Sequence, residues 1–535
     1  MRAAEKIKIS QGKIARAAGV VSAATLISRV LGFSRDMVLA YFLGATGFSD
    51  AFYVAFRIPN LLRGIFAEGT MASAFIPVLS EYRLKEGDEA ASALVKAVFS
   101  AILTVVGGLC VLGIVFAPLI VRAMAPGFVS DPEKFRLTVL LTRIMFPLLL
   151  FVSLGALSMG ALNVKGVFFI PSLSSAVINL TIMATAALLS SSFAYPAVAA
   201  AIGVAAGGLA AFLFQVPSMR KSGFTLKPVR RFFHHPGLKK MAVLALPMLL
   251  AMSVLPVNIV VSNILASFLP GGRITYLYYG IRLMHFPVGV FGAAMGVAVL
   301  PALSEHAAKG DFESLRQDFS FALRVLFFLS LPAMAGLIAL RVPIMSTLFL
   351  RGRFTWAAVE GAARALFFYS MGIWAMVGAR VLNVTFYSMH DTKGPMKSAI
   401  TALVSNIVLS VALMRLMKHG FEGLALANAL AAAVNFVTLF YLLREKLMRF
   451  GARRIVKSFA KSALAAAVMG AAAAAASSGS LWRLSGHTAE KALWLAGSIA
   501  LSTGIYAILC YLLKNEELHL VLGMLQRRFF AKRSA

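Results

Sequence analysis

Eight charged residues interrupt apolar sequence: Arg29, Arg35, Asp36, Asp50, Arg57, Arg63, Glu68 and, much later, Arg282. Five are arginines and three are carboxylates. A guanidinium is a planar fork whose paired N–H groups match two oxygens of a phosphate or carboxylate. The excess of arginine therefore points to binding of an oxyanion. Each residue also has a plainer reading. Arg35 could pair with a carboxylate, Asp36 and Asp50 could cap a helix or form a gate, and Arg63 could extend to a headgroup layer. Arg29 and Arg35 are six positions apart, so a helix does not place them on one identical face.

The elements that carry these residues must be membrane helices. Of the 535 residues, 60% are hydrophobic and 14% are charged, and mean hydropathy is +0.83. Soluble domains carry about 25% charged residues. Apolar stretches long enough to cross a bilayer recur along the chain, at about 17–44, 49–68, 94–120, 137–161, 171–191, 196–216, 241–268, 275–303, 318–340, 361–388, 397–416, 422–443, 456–476 and 491–513. The predicted fold class is an all-α polytopic membrane protein with about 14 transmembrane helices. Most Lys and Arg residues outside these stretches fall on the two termini and on every second loop. Dense tracts run from Arg220 to Lys240 and from Arg444 to Lys461. That alternation predicts both termini on the cytoplasmic side. It also accounts for the net charge of +31 by membrane topology and anionic lipid rather than by nucleic acid. The basic start of the chain reads as an anchor, because Arg29 interrupts the following apolar stretch and no small-residue cleavage site is evident.

The chain also resembles itself. AFRIPNLLRGIFAEGTMASAFIPVLSEYRLKEGD (55–88) aligns with YGIRLMHFPVGVFGAAMGVAVLPALSEHAAKGD (279–311). Arg57 falls on or next to Arg282, and a P-x-L-S-E string recurs at Pro77 and Pro301. ALNV (161–164) returns as VLNV (381–384), followed by turns ending at Pro171 and Pro395. Six helices separate the copies, an even number, so the copies keep one orientation. The expected architecture is two parallel six-helix repeats plus two C-terminal helices. The expected divisions are a basic N-terminus (1–16), a first bundle (17–218), a basic linker (219–240), a second bundle (241–443), the last two helices with their basic linker (444–513) and a tail (514–535).

A charge at the centre of a lipid-facing helix costs about 2.5–3.5 kcal/mol. Several together must line a watery cavity or pair with one another. A cationic cavity opening to lipid suggests a lipid phosphate or diphosphate headgroup. Gly32, Gly44, Pro59, Gly64 and Gly69 could let the first two helices bend as a gate. Enzyme chemistry finds no support: H-E-x-x-H, P-loop, G-x-S-x-G and Asp-rich metal motifs are all missing from the sequence. Cys110 and Cys510 lie in apolar stretches and read as small core residues. No cofactor is expected.

The strings SRVLGFSRD (28–36), SDAFYVAFRIPNLLRGIFAEG (49–69), AFIPVLSEY (74–82), APGF (125–128) and IRLMHFPVGVFG (281–292) strongly resemble the MurJ/MviN family. That family belongs to the multidrug/oligosaccharidyl-lipid/polysaccharide exporter superfamily. The resemblance covers essentially the whole chain. It implies a lipid II flippase of peptidoglycan synthesis, moving an undecaprenyl-diphosphate-linked disaccharide-pentapeptide across the bacterial inner membrane by alternating access. A related polyprenyl-diphosphate sugar flippase or a drug antiporter is the alternative. It further implies Arg29, Arg35, Arg63 and Arg282 as substrate-binding residues, and Asp50 and Glu68, with Asp36 and Arg57, as gating or ion-pairing residues. Membrane potential or an ion would drive the cycle, and the ion is not legible. Expected partners are lipid II, membrane lipids and cell-wall synthesis machinery, with the chain a monomer. Two departures from the family pattern stand out. Ile281 and His285 occupy places where relatives carry acids beside the arginine. Asn263, Asn406 and Ser410 match a sodium site of some relatives but offer no charge, which makes them weak sodium ligands.

Overall fold

The computed structural model describes residues 2–64, 74–252, 254–447 and 451–518. Side-chain placement is described within these except at 2–18, 20, 246–252, 254–256 and 293–298. Glu68 and Gly69 of the expected gate lie outside the described residues.

The described chain is a succession of helices joined by short turns. Among the described residues, nine helices of 24–33 residues are apolar enough to cross a membrane, or ten if the bent pair Trp356–Ser370 and Ile373–Ser388 is one span. At about 1.5 Å per residue they reach ~36–50 Å, more than the ~30 Å hydrocarbon core. Leu188, Leu416 and Leu493 are examples of bulky apolar side chains left on the outside, as a lipid-facing surface requires and a water-facing one would not tolerate in such number. The chain is a multi-pass membrane protein.

The expected count of fourteen is therefore not reached by length and hydropathy alone. The remaining four expected segments are helical too: Arg2–Leu43, Gly47–Arg63, the pair Pro236–Met252 and Val254–Ser267, and Arg273–Ala308. They differ from the rest by being short, interrupted or charged, and three of them hold the arginines. Two local expectations change. The first helix begins inside the basic tract, at Arg2 rather than near 17. The tenth expected span breaks at residues 371–372 with a 41° bend, where Gly372 packs its Cα face on Ala429.

Two compact units result: residues 1–272 with 352–354, and residues 273–351 with 355–535. The boundary falls at Gly272–Arg273, not within the basic linker 219–240. Hydrogen bonds explain why segment 254–272 packs with the first unit. Gly127 N donates to Ser267 Oγ (3.0 Å), Asn263 Nδ2 to the Met124 carbonyl (3.0 Å) and Gly272 N to Asp50 Oδ2 (2.7 Å).

Within the first unit, the first two helices form a tight hairpin. Gly44 closes the first helix in the left-handed region (φ +62°), and a Cβ there would meet the Arg353 carbonyl oxygen at 2.5 Å. Thr46 then opens Gly47–Arg63 with a reciprocal capping box to Ser49. The helices Phe169–Leu189 and Pro196–Lys221 approach closely through small residues. A Cβ on Gly203 would lie 1.9 Å from Thr185 Oγ1, the kind of contact by which membrane helices associate without a hydrophobic driving force.

In the second unit, Tyr506 donates from its hydroxyl to the Phe328 carbonyl (2.8 Å), tying the last helix, Thr488–Leu512, to Phe312–Ala339. Beyond it, Arg324 Nη1 holds Glu516 (2.9 Å) and Glu517 (2.7 Å). The sequence repeat recurs as matching surface pairs, Glu81–Lys85 at 3.0 Å and Glu305–Lys309 at 2.6 Å, both one helical turn apart.

Candidate functional site: charges within membrane helices

Arg29 and Arg35 both lie on the first helix, but their surroundings differ. Arg29 is exposed, and its side chain has no hydrogen bond or ion pair among the described residues. Arg35 is mostly covered. Its Nη2 and Nε donate to one oxygen of the fully buried Asp36 (2.6 and 3.1 Å). Its Nη1 donates to Asn179 Oδ1 (3.1 Å), and Asn179 Nδ2 donates back to the Ser28 carbonyl (3.3 Å). Asn179 sits on the otherwise apolar Phe169–Leu189 helix. This three-residue unit fixes the first helix against that neighbour and holds the guanidinium in one orientation. The plain reading of Arg35, pairing with a carboxylate, is what the geometry shows. Asn179 was not singled out in the sequence, although an amide among apolar residues of a membrane helix is itself a signal.

Asp50 is fully buried in the first turn of Gly47–Arg63. A lysine pairs with it: Lys134 Nζ lies 3.6 Å from Oδ2. Lys134 is also buried, and its ammonium sits 3.8 Å from the Phe128 ring centre, in the APGF turn. Asp50 additionally accepts the Gly272 amide. One carboxylate thus joins Gly47–Arg63, Pro132–Met145 and the end of the first unit.

Nearly two turns before the end of the same helix, Arg57 Nη1 donates to Asn263 Oδ1 (3.1 Å). Arg63 Nε donates to Asn60 Oδ1 (2.9 Å) in the last turn. The described cluster of the first unit therefore has five cations, Arg29, Arg35, Arg57, Arg63 and Lys134, against two carboxylates, Asp36 and Asp50. It remains cationic and rich in forked donors.

The weak sodium candidates bond within the protein. Asn263 already gives its Oδ1 to a guanidinium and its amide to Met124. Asn406 and Ser410 are buried and adjacent (3.5 Å), but bring no formal charge. Among the described residues there is no group of three or more His, Cys, Asp or Glu side chains fit for a metal.

Arg282 lies in the second unit on Arg273–Ala308, exposed, one turn before the exposed His285. The charges acting on His285 are those of Arg282 and of Arg380, an arginine on Ile373–Ser388 that sequence reasoning passed over.

Comparison with known proteins agrees with this arrangement. A family model described as lipid II flippase MurJ matches residues 39–490. A probable lipid II flippase MurJ of Vibrio cholerae serotype O1 is 36% identical over 502 residues, 92% of this chain and 95% of that one. A lipid II flippase MurJ of Burkholderia cenocepacia is 36% identical over 435 residues, covering 81% and 84%. A solved structure of a lipid II flippase MurJ in an inward-closed conformation superposes with a TM-score of 0.75 at 27% identity, covering 92% of this chain and 98% of that one. An inward-facing multidrug MATE transporter shares the fold at a TM-score of 0.64 and 13% identity. Matched from residue 39 to 490 and built around the same class of helices, the chain belongs to the MurJ family.

Proposed function

We propose that this chain carries lipid II from the cytoplasmic to the periplasmic leaflet of a bacterial inner membrane by alternating access. One observation carries the reading beyond family membership: among the described residues of the first unit's charged cluster, five cations stand against two carboxylates, four of the five being arginines. A diphosphate moved through hydrocarbon without partners would lose its hydration at a cost of tens of kcal/mol. Arginine forks replace that hydration with charge-assisted hydrogen bonds.

In this reading Arg29 and Arg282 are substrate-binding residues, each within its own unit, Arg63 guides the diphosphate at the end of its helix, and Arg35 is held ready by Asp36 and Asn179. The Asp50–Lys134 pair and the Arg57–Asn263 bond are joints that must hold or release as the carrier changes state. The basic tracts 220–240 and 444–461 face the cytoplasm, as do both termini. The polyprenyl tail stays in lipid, against the last two helices. An inside-negative potential favours outward passage of an anion, by about 2.3 kcal/mol per charge per 100 mV. A doubly charged diphosphate would gain about twice that. The reading assigns the chain carriage and no covalent chemistry.

The test is complementation. A strain depleted of its own flippase receives this chain, or its Arg29→Ala, Arg35→Ala or Arg282→Ala variant, and lipid II reaching the outer leaflet is measured. The wild type should sustain translocation and the variants should fail while inserting normally. An inserted wild type that leaves lipid II inside would overturn the substrate. Three fully active variants would overturn the arginine mechanism.

A further inference from the structure

The loop that joins Pro196–Lys221 to Pro236–Met252 is basic throughout: residues 220–240 hold seven Lys and Arg and no carboxylate. It is pinned to the helix beside it. Phe224 and Phe232 are buried, the Val229 amide donates to Ser100 Oγ (2.7 Å), and a Cβ on Gly237 would meet Leu94 Cδ1 at 2.6 Å. Ser100 and Leu94 both lie on Gly87–Ala101, so the segment 229–237 runs alongside residues 94–100. Lys96 is the last charge there before Arg122. The loop therefore lies where a membrane span passes from its charged end into its apolar stretch, the height at which headgroups give way to hydrocarbon.

What the loop turns outward fits that height. Lys227, Arg230 and Arg231 are exposed, and their side chains make no hydrogen bond or ion pair among the described residues. Glu81 and Asp88, on the adjoining turns, are engaged by Lys85 and Lys240 and by Arg83 and Lys165. Among the loop cations stand two exposed apolar side chains, Val229 (42%) and Phe233 (69%). A loop facing only water has no use for a bare phenyl ring. At a bilayer surface, a ring flanked by cations enters the acyl region while the cations take headgroup phosphates. We propose that residues 227–233 form a docking surface for an anionic phospholipid, its phosphate held by Lys227, Arg230 and Arg231 and its acyl chains met by Val229 and Phe233. These side chains are turned outward to the surrounding leaflet, so the occupant is a resident phospholipid and not the carried lipid. The flippase reading supplies only the name of that leaflet, the cytoplasmic one.

The experiment places the full chain in nanodiscs of phosphatidylcholine with a graded share of phosphatidylglycerol and counts the retained lipids by native mass spectrometry. Phosphatidylglycerol should be retained in preference to phosphatidylcholine. Lys227→Gln/Arg230→Gln/Arg231→Gln should weaken that preference about fivefold for each cation removed. Removing as many charges from the other basic tract, in Arg453→Gln/Arg454→Gln/Lys457→Gln, should leave most of it. An equal loss there would reduce the effect to diffuse attraction and overturn the site. Phe233→Ser changes no charge and should still weaken retention severalfold. Insertion of the ring is read separately: in Phe233→Trp, lipids brominated along the acyl chain should quench emission beyond that of the four native tryptophans. Unquenched emission from position 233, or full retention in the triple loop variant, would overturn the proposal and leave the surface to a soluble acidic partner. Weaker lipid II binding with unchanged phosphatidylglycerol retention in that variant would assign the loop to the carried lipid and overturn the proposal likewise. Because phosphatidylglycerol retention is measured without lipid II, failure of this surface leaves the flippase reading standing. A chain that retains phosphatidylglycerol here but carries no lipid II would sink that reading alone.

Discussion

Replacing Lys134 with methionine removes the cation beside Asp50 while nearly preserving volume. The carboxylate has no exposure and the ammonium side chain 6%, so water cannot take over the role of the missing partner. Breaking one side of a buried pair costs about 3–5 kcal/mol, because the remaining charge stays buried. Loss of the contact over Phe128 adds about 0.5–2 kcal/mol. The Gly272 amide still donates to Asp50 and recovers part of the loss. A destabilisation of about 3–4 kcal/mol is expected. The double variant Asp50→Asn/Lys134→Met removes both charges, so it should be markedly more stable than Lys134→Met alone. The assay is a double-mutant cycle on unfolding of the purified protein in detergent, with Lys134→Arg as the conservative control. An unchanged unfolding free energy in Lys134→Met would refute the argument. So would a double variant whose loss equals the sum of the singles, since the two residues would then not be acting on each other.

Asn179→Ala should leave Arg35 paired with Asp36 but free to turn, loosening the first helix against Phe169–Leu189. Cysteines placed across that helix pair should then crosslink over a wider range of positions, and an unaltered pattern would argue against the anchoring role. Asp391, in the turn before Lys393–Leu416, is held below the usual carboxylate range first by the Lys446 ammonium and then by the Gly394 and Lys393 amides. The stability it contributes is therefore fully present above the ordinary value of 3.8 and is lost as pH falls through its lower folded value. Asp391→Asn should remove that acid-side dependence and leave the profile near neutral pH unchanged in shape, as followed by thermal unfolding across pH. Replacing sodium by potassium at fixed ionic strength should leave lipid translocation unaltered, because Asn263, Asn406 and Ser410 offer no charged ligand. A sodium-dependent rate would refute that reading.

Hydropathy and charge are local properties, which is why they could be read without coordinates. The apolar stretches from 94 to 216 and from 318 to 513 return as helices at nearly the expected places, because lipid leaves the backbone few alternatives to internal hydrogen bonding. The arginines of the first two helices were legible for a similar reason: charge among apolar residues must pair or line a cavity, and Arg35 pairs with Asp36. The P-x-L-S-E repeat was likewise visible as letters and returns as two matching Glu–Lys pairs.

Partner choice was not legible, because it depends on which helices pack together. Arg35 takes the adjacent Asp36, yet also an amide 144 positions away. Arg57 takes Asn263 across 206 positions, which turns a sodium candidate into the acceptor for a guanidinium. Asp50 takes Lys134, from another helix. The bend at 371–372 and the path of Arg380 over Gly292 likewise come from close contact between helix surfaces, since a glycine reads the same in sequence whether it faces lipid or a guanidinium. The sequence by itself determined that charge is buried in this membrane protein and that it is mostly positive. Only the tertiary structure decided which of those charges meet carboxylates and which meet neutral amides, because those outcomes are set by long-range packing rather than by neighbours along the chain.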